Sequence, residues 1–216
     1  MAMKIILTGA TGMVGEGVLL ECLATGDVEK VLVLARRPSG HQHPKLEEML
    51  VADFLKLEPS DRLRGYDACF YCAGVSSVGM SEADYTRVTF DTPVHVAKTL
   101  ADERMVFVHV SGASTDGTEQ GKIMWARVKG RAENALMKQP FRAVYNFRPG
   151  LMKPVNGQRN IKTSYRIGLV FLPVLRLIFP MLTLSEVARA MLKCVRTGAP
   201  KSVLEVADIK ALAAGE

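Results

Sequence analysis

Residues 8–15 read Thr-Gly-Ala-Thr-Gly-Met-Val-Gly, with glycines at 9, 12 and 15. An apolar run, Lys4–Thr8, leads in and an amphipathic stretch, Met13–Ala24, leads out. Glycines so spaced can cradle phosphate. Gly9 allows a tight turn, Gly12 lets the backbone approach a pyrophosphate, and Gly15 lets helix and strand pack closely. Thr11, Met13 and Val14 fill the positions between and after them. The helix start then presents free N–H groups and the positive end of its dipole to an anion. The strand–turn–helix order is the context such a pattern requires, and it points to a dinucleotide.

A second position refines the ligand. Roughly 20 residues past the last glycine, NAD-binding folds place Asp or Glu to accept hydrogen bonds from the ribose 2′-hydroxyl. Here the second apolar run, Val31–Ala35, ends in Arg36 and Arg37, with no carboxylate. Planar charged guanidiniums suit a 2′-phosphate. The expected cofactor is therefore NADP (as NADPH) in preference to NAD; a merely solvated basic loop is the plainer reading of the same pair.

Other residues able to do chemistry are weaker signals. Cys69 and Cys72 form a C-x-x-C spacing, but both fall in an expected buried strand and point to opposite faces, which disfavours a bridge. His41 and His43 sit in a loop beside Pro44 and are expected to lack nearby carboxylates or cysteines to complete a site, so no metal is expected. His109 falls in a strand and reads as a satisfied core histidine. The 11 methionines are scattered, as core filler is.

These residues need a scaffold, and the chain supplies one. Apolar runs at Lys4–Thr8, Val31–Ala35, Glu47–Ala52, Ala68–Ala73, Val106–Val110, Ala143–Phe147 and Val203–Val206 read as strands. Helical stretches at Met13–Ala24, Ser81–Leu100, Trp125–Lys138 and Ser185–Arg196 alternate with them. Strands apolar on both faces, alternating with helices, predict a Rossmann-type α/β fold: a doubly wound parallel sheet with helices on both faces. The 216 residues suit one domain, 1–216. Regular alternation stops near Gly150, so 151–184 is expected to be a small substrate-side lid.

Composition narrows the partners. Hydrophobic residues at 48% and charged residues at 23% exclude disorder and coiled coils. The net charge of +6 is dispersed, without a basic block or a nucleic-acid module, so a small anionic molecule is expected and a nucleic acid is not. The apolar run 167–184 carries one charge, Arg176, but Pro173 and Pro180 interrupt it. A central Arg is costly in a bilayer, so the run reads as pocket lining rather than a membrane contact. Four cysteines make no disulfide framework and no secretory leader opens the chain, so the expected setting is reducing and cytoplasmic. A homodimer is a compatible assembly.

With these motifs in place, nearly the whole chain resembles the short-chain dehydrogenase/reductase superfamily. The similarity is to its extended and atypical branches, which include NAD-dependent epimerase/dehydratase-like proteins and Tat-interacting-protein-like oxidoreductases. The resemblance implies roles for further residues. Asp53 with Phe54 lies where the family's adenine-contacting Asp follows the third strand. Cys72-Ala73-Gly74 lies at the cofactor-side turn after the fourth. Arg148-Pro149-Gly150, with Pro154, matches a segment packed near the nicotinamide, and Leu184–Ala188 matches the start of a late helix.

The family's catalytic Tyr-x-x-x-Lys falls on Trp125-Ala126-Arg127-Val128-Lys129. Lys129 is in register, but Trp125 replaces the tyrosine, and an indole N–H cannot act as acid or base near neutral pH. Ser111 and Ser114 are both candidates for the family's substrate-polarising serine. Thr89 stands where many members carry a relay Asn. Tyr85 and Tyr165 are substitute proton donors by position. The resemblance thus implies an NADP-dependent oxidoreductase acting on a small carbonyl-type molecule without the usual tyrosine. A catalytically silent NADP-binding regulator or scaffold is the alternative, and a nucleotide-sugar epimerase or dehydratase a second.

Overall fold

A computed structural model describes residues 2–161 and 181–215. Tyr165 and most of the apolar run, 167–180, lie outside the described residues. The chain proceeds through β1 (Met3–Thr8), α1 (Met13–Ala24), β2 (Val28–Ala35), β3 (Leu46–Leu50), β4 (Ala68–Tyr71), α2 (Glu82–Thr86) and α3 (Thr92–Leu100). It continues with β5 (Val106–Val110), α4 (Met124–Leu136), β6 (Ala143–Arg148), β7 (Leu151–Lys153), β8 (Met181–Thr183), α5 (Leu184–Thr197), β9 (Val203–Glu205) and α6 (Val206–Ala214).

Seven strands form one parallel sheet in the order β3-β2-β1-β4-β5-β6-β9. Both faces are covered, as the two-sided apolar runs require. On one face Ile5, Leu7, Val33, Phe70 and Val108 pack under α1, α5 and α6. On the other, Ile6, Leu32, Cys69 and Phe107 pack under α3, α4 and the connection through Leu57 and Leu63. This is the doubly wound Rossmann arrangement. Winding reverses between β1 and β4, and such a switch point opens a crevice at the carboxyl ends of the strands.

Several elements differ from the sequence reading. β4 stops at Tyr71 because the chain leaves the ladder there: the Ala73 amide donates to Thr8 Oγ1 at 3.2 Å. Cys72 is consequently just outside the strand rather than within it. The long helix 81–100 is not regular. A π-helical turn, Arg87–Asp91, joins α2 to α3. Pro93 has no N–H to continue the ladder, and Thr92 Oγ1 donates to the Arg87 carbonyl at 2.7 Å. After Gly150 the chain is less irregular than its composition suggests, since β7 and β8 pair in parallel as a separate two-stranded sheet. A final helix, α6, was not foreseen. Among the described residues no helix is long and apolar enough to cross a membrane.

Candidate functional site

The crevice at the switch point is a cleft of about 500 Å³. Its floor is the glycine turn between β1 and α1, where Gly9, Thr11 and Gly12 line it. The three glycines have different reasons. A Cβ on Gly9 would come within 2.6 Å of the Cys72 backbone, and one on Gly15 would collide with the Gly9 carbonyl. Those two are demanded by the chain's own packing. A Cβ on Gly12 would meet nothing nearer than Gly9 O at 3.5 Å, so internal packing does not require glycine there. It would, however, fill a cleft-lining position. No side chain caps α1, whose N-cap is Gly12 itself, so its first-turn donors remain available to an anion. Met13, Val14 and Gly15 form that first turn behind the cleft wall.

Arg36 and Arg37 leave β2 into the same cleft, joined by Asp53, Phe54, Cys72, Ala73 and Gly74. Ten of the sequence-selected residues therefore share one space. Asp53 keeps one carboxylate oxygen occupied, Oδ1 accepting from the Leu55 amide at 3.0 Å. Arg87, Val88 and Thr92 of the π-turn and α3 also line it, and sequence reading missed them. Pro93, a helix breaker inside a helical pattern, is a sequence signal that could have marked that segment.

Beside the cleft, Glu16 of α1 is fully buried and gathers three segments. It accepts from the amides of Arg159 (2.8 Å) and Asn160 (2.7 Å) and pairs with His41 Nε2 at 2.9 Å. The expectation that His41 lacks a neighbouring carboxylate is thus corrected: Glu16 comes from 25 residues away in sequence. Gln158 adds a bond to the Met13 carbonyl at 2.6 Å, and Arg159 one to Gly40 at 3.0 Å. Burial raises the Glu16 carboxyl, but the two amides and His41 outweigh it and hold its pKa below the ordinary value. Among the described residues no group of three His, Cys, Asp or Glu gathers as for a metal.

The remaining selected residues form a second group at the ends of β5 and β6, outside the cleft lining. Lys129 Nζ donates to the Ser111 carbonyl at 2.8 Å, and the Ala113 amide to Pro149 O at 3.1 Å, which brings Lys129, Ser111 and the Pro149-Gly150 turn together. Thr115 Oγ1 donates to Gly112 O at 2.7 Å, so it accepts from Ser111 Oγ at 3.1 Å, and the serine proton is committed. Ser114 is exposed and left-handed, with φ 63°. Burial holds the Lys129 ammonium below the ordinary lysine pKa, against the pull of Glu133.

One turn further along α4, Glu133 is buried against Arg148 at 2.6 Å. Arg148 also reaches Glu205 at 3.0 Å, so it anchors the turn structurally. Trp125 is half-buried at the start of α4. Tyr85 is 1% exposed, with Thr89 hydrogen-bonded to its phenol, and burial pushes its pKa up. It does not line the cleft.

Residues 5–140, more than half of the chain, match the NAD dependent epimerase/dehydratase family. The leucinostatins biosynthesis cluster protein T of Purpureocillium lilacinum is 30% identical over 143 residues, covering 63% of this chain and 52% of that protein. The matched region thus spans about half the length of this curated relative. Among solved structures, a UDP-glucuronic acid 4-epimerase from Bacillus cereus in complex with NAD superposes with TM-score 0.69 at 14% identity, covering 99% of this chain and 85% of the other. The Helicobacter pylori ADP-L-glycero-D-manno-heptose-6-epimerase gives 0.68 at 15% identity, covering 100% and 81%. A thiolation-reductase di-domain from an archaeal non-ribosomal peptide synthetase gives 0.70 at 15%, covering 95% and 71%. At these identities the structures establish the shared fold, and with the match over residues 5–140 the chain belongs to the NAD dependent epimerase/dehydratase family.

Proposed function

We propose that this protein is an NADP-dependent oxidoreductase acting on a small carbonyl-type molecule. The observation that carries the reading is the cleft itself: an uncapped helix start over a bare Gly12, with Arg36 and Arg37 at the end where a ribose 2′-phosphate would lie. Solved proteins of the same fold hold NAD, and one is a reductase domain, which supports a nicotinamide cofactor here. Bound, such a cofactor supplies hydride exchange with a carbonyl carbon. The chain's own part is to hold and orient. The turn amides and guanidiniums bind phosphate, Ala73 and Gly74 border the dinucleotide, and Lys129 with the Pro149-Gly150 turn sets the neighbouring end.

Proton supply distinguishes this chain. Trp125 cannot provide a proton near neutral pH, and the Ser111 proton is held by Thr115. Lys129 remains. Its pKa is lowered by burial, and one of its three N–H bonds goes to Ser111 O. A proton therefore reaches the substrate oxygen from Lys129, directly or through water. The four unpaired cysteines suit a reducing, cytoplasmic setting.

Trp125 also favours a second reading, an NADP-binding protein that signals its cofactor state to a partner without turnover. NADPH oxidation against a carbonyl panel, with wild type and W125Y, separates the two. The oxidoreductase reading expects measurable wild-type turnover and a rise of about a hundredfold in W125Y, the low end of what a placed acid contributes. Tight NADPH binding with no turnover in either protein would overturn it in favour of the silent binder.

A further inference from the structure

Arg87 enters the cleft from a direction the glycine turn and the β2 arginines do not account for. It lines the cavity with Val88 and Thr92, its side chain is exposed, and it forms no ion pair with any described residue. Arg64, Arg104, Arg127, Arg148 and Arg196 each face a carboxylate instead. The backbone holding Arg87 is specialised. It opens the π-turn, its carbonyl accepts from Thr92 Oγ1 at 2.7 Å, and single π-turns within helices are frequent at functional sites. The other side of the same turn is fixed, because the Arg131 guanidinium stacks over Phe90 at 4.6 Å.

Charge counting gives the ligand's sign. The cleft lining contains three arginines, Arg36, Arg37 and Arg87, and one carboxylate, Asp53, half of which caps the turn at Leu55. Three guanidiniums around one cavity, without counter-charges of their own, attract an anion and hold it by forked hydrogen bonds. We propose that Arg87 is a third phosphate-binding residue of this site, closing on the dinucleotide from the α2–α3 side. The proposal rests on the NADP reading and names a residue that reading does not use. The phosphate it contacts is either the 2′-phosphate or the pyrophosphate.

Calorimetric titration of the purified full chain with NADPH and with NADH, in wild type, R87Q and R87K, tests this. R87Q is expected to raise the Kd about tenfold, the scale of one charge-assisted contact. R87K should lose less than R87Q, because it keeps the charge but not the fork. Loss confined to NADPH identifies the 2′-phosphate, and equal loss for both identifies the pyrophosphate. R87Q binding both dinucleotides within about twofold of wild type overturns the proposal, as does R87K falling as far as R87Q. A wild type that binds neither dinucleotide overturns the NADP reading itself, and this proposal with it. Unchanged thermal melting of R87Q, expected for an exposed side chain, confirms that binding and not folding is read.

Discussion

His109 sits on β5 two residues before Ser111, and its Nδ1 meets Asn146 Oδ1 at 3.0 Å. Burial, with the Lys129 charge beside it, lowers its pKa to about 4, against the support of Asn146. The imidazole is therefore neutral in the folded protein and takes a proton more readily when unfolded. A histidine lowered in this way costs stability as pH falls from its unfolded value of 6.5 towards 4. Between pH 7 and 5 that loss is about 2 kcal/mol. Urea unfolding at the two pH values should show it in wild type, and H109Q should flatten the difference. An equal drop in both proteins would place the titration elsewhere. At this scale the sequence was most readable for the residues that share the cleft, such as Gly12, Arg36 and Arg37, because they sit at strand ends that apolar runs mark. It was least readable for Glu16, whose partners lie 25 to 144 residues away, and for Arg87, whose setting depends on a π-turn.

Among the elements, α1 does more than present its first turn. Through Glu16 it ties together the loop after β2, which carries Arg36 and Arg37, and the strand-free segment at Arg159-Asn160. The loop after β2 and the segment after β7 therefore share one buried carboxylate. Because that carboxyl is held below its ordinary pKa, its contribution to stability is present above about pH 4.5 and is lost as pH falls through the lower folded value. E16Q keeps the shape but weakens bonds made to a charge, so it should destabilise the fold by about 2 kcal/mol. It should also speed proteolysis within 155–161, read by limited digestion. Unchanged stability and digestion would show that the clasp is not holding the segment. The strands and most helices followed from apolar periodicity. The β7–β8 pair did not, because three-residue strands leave too short a pattern to detect.

At the scale of the molecule, the strand order puts the switch point between β1 and β4, and the glycine turn, Arg36, Arg37, Asp53 and the Cys72–Gly74 turn gather there. The Lys129 group at β5 and β6 stands next to it, one strand further along the sheet. That division was not legible in the sequence, because chain order does not show that β4 pairs with β1 rather than with β3. Nor was the commitment of the Ser111 hydroxyl to Thr115, since it depends on how the folded loop places the two. The proposed role of this cleft is to hold a 2′-phosphate. It is tested most directly by the ratio of NADH to NADPH dissociation constants, measured for wild type and for the R36Q/R37Q double variant. Wild type is expected to bind NADPH about a hundredfold more tightly than NADH, about one tenfold step for each guanidinium, and the double variant to bind the two alike. Wild type preferring NADH, or a double variant that weakens both cofactors equally, would contradict it.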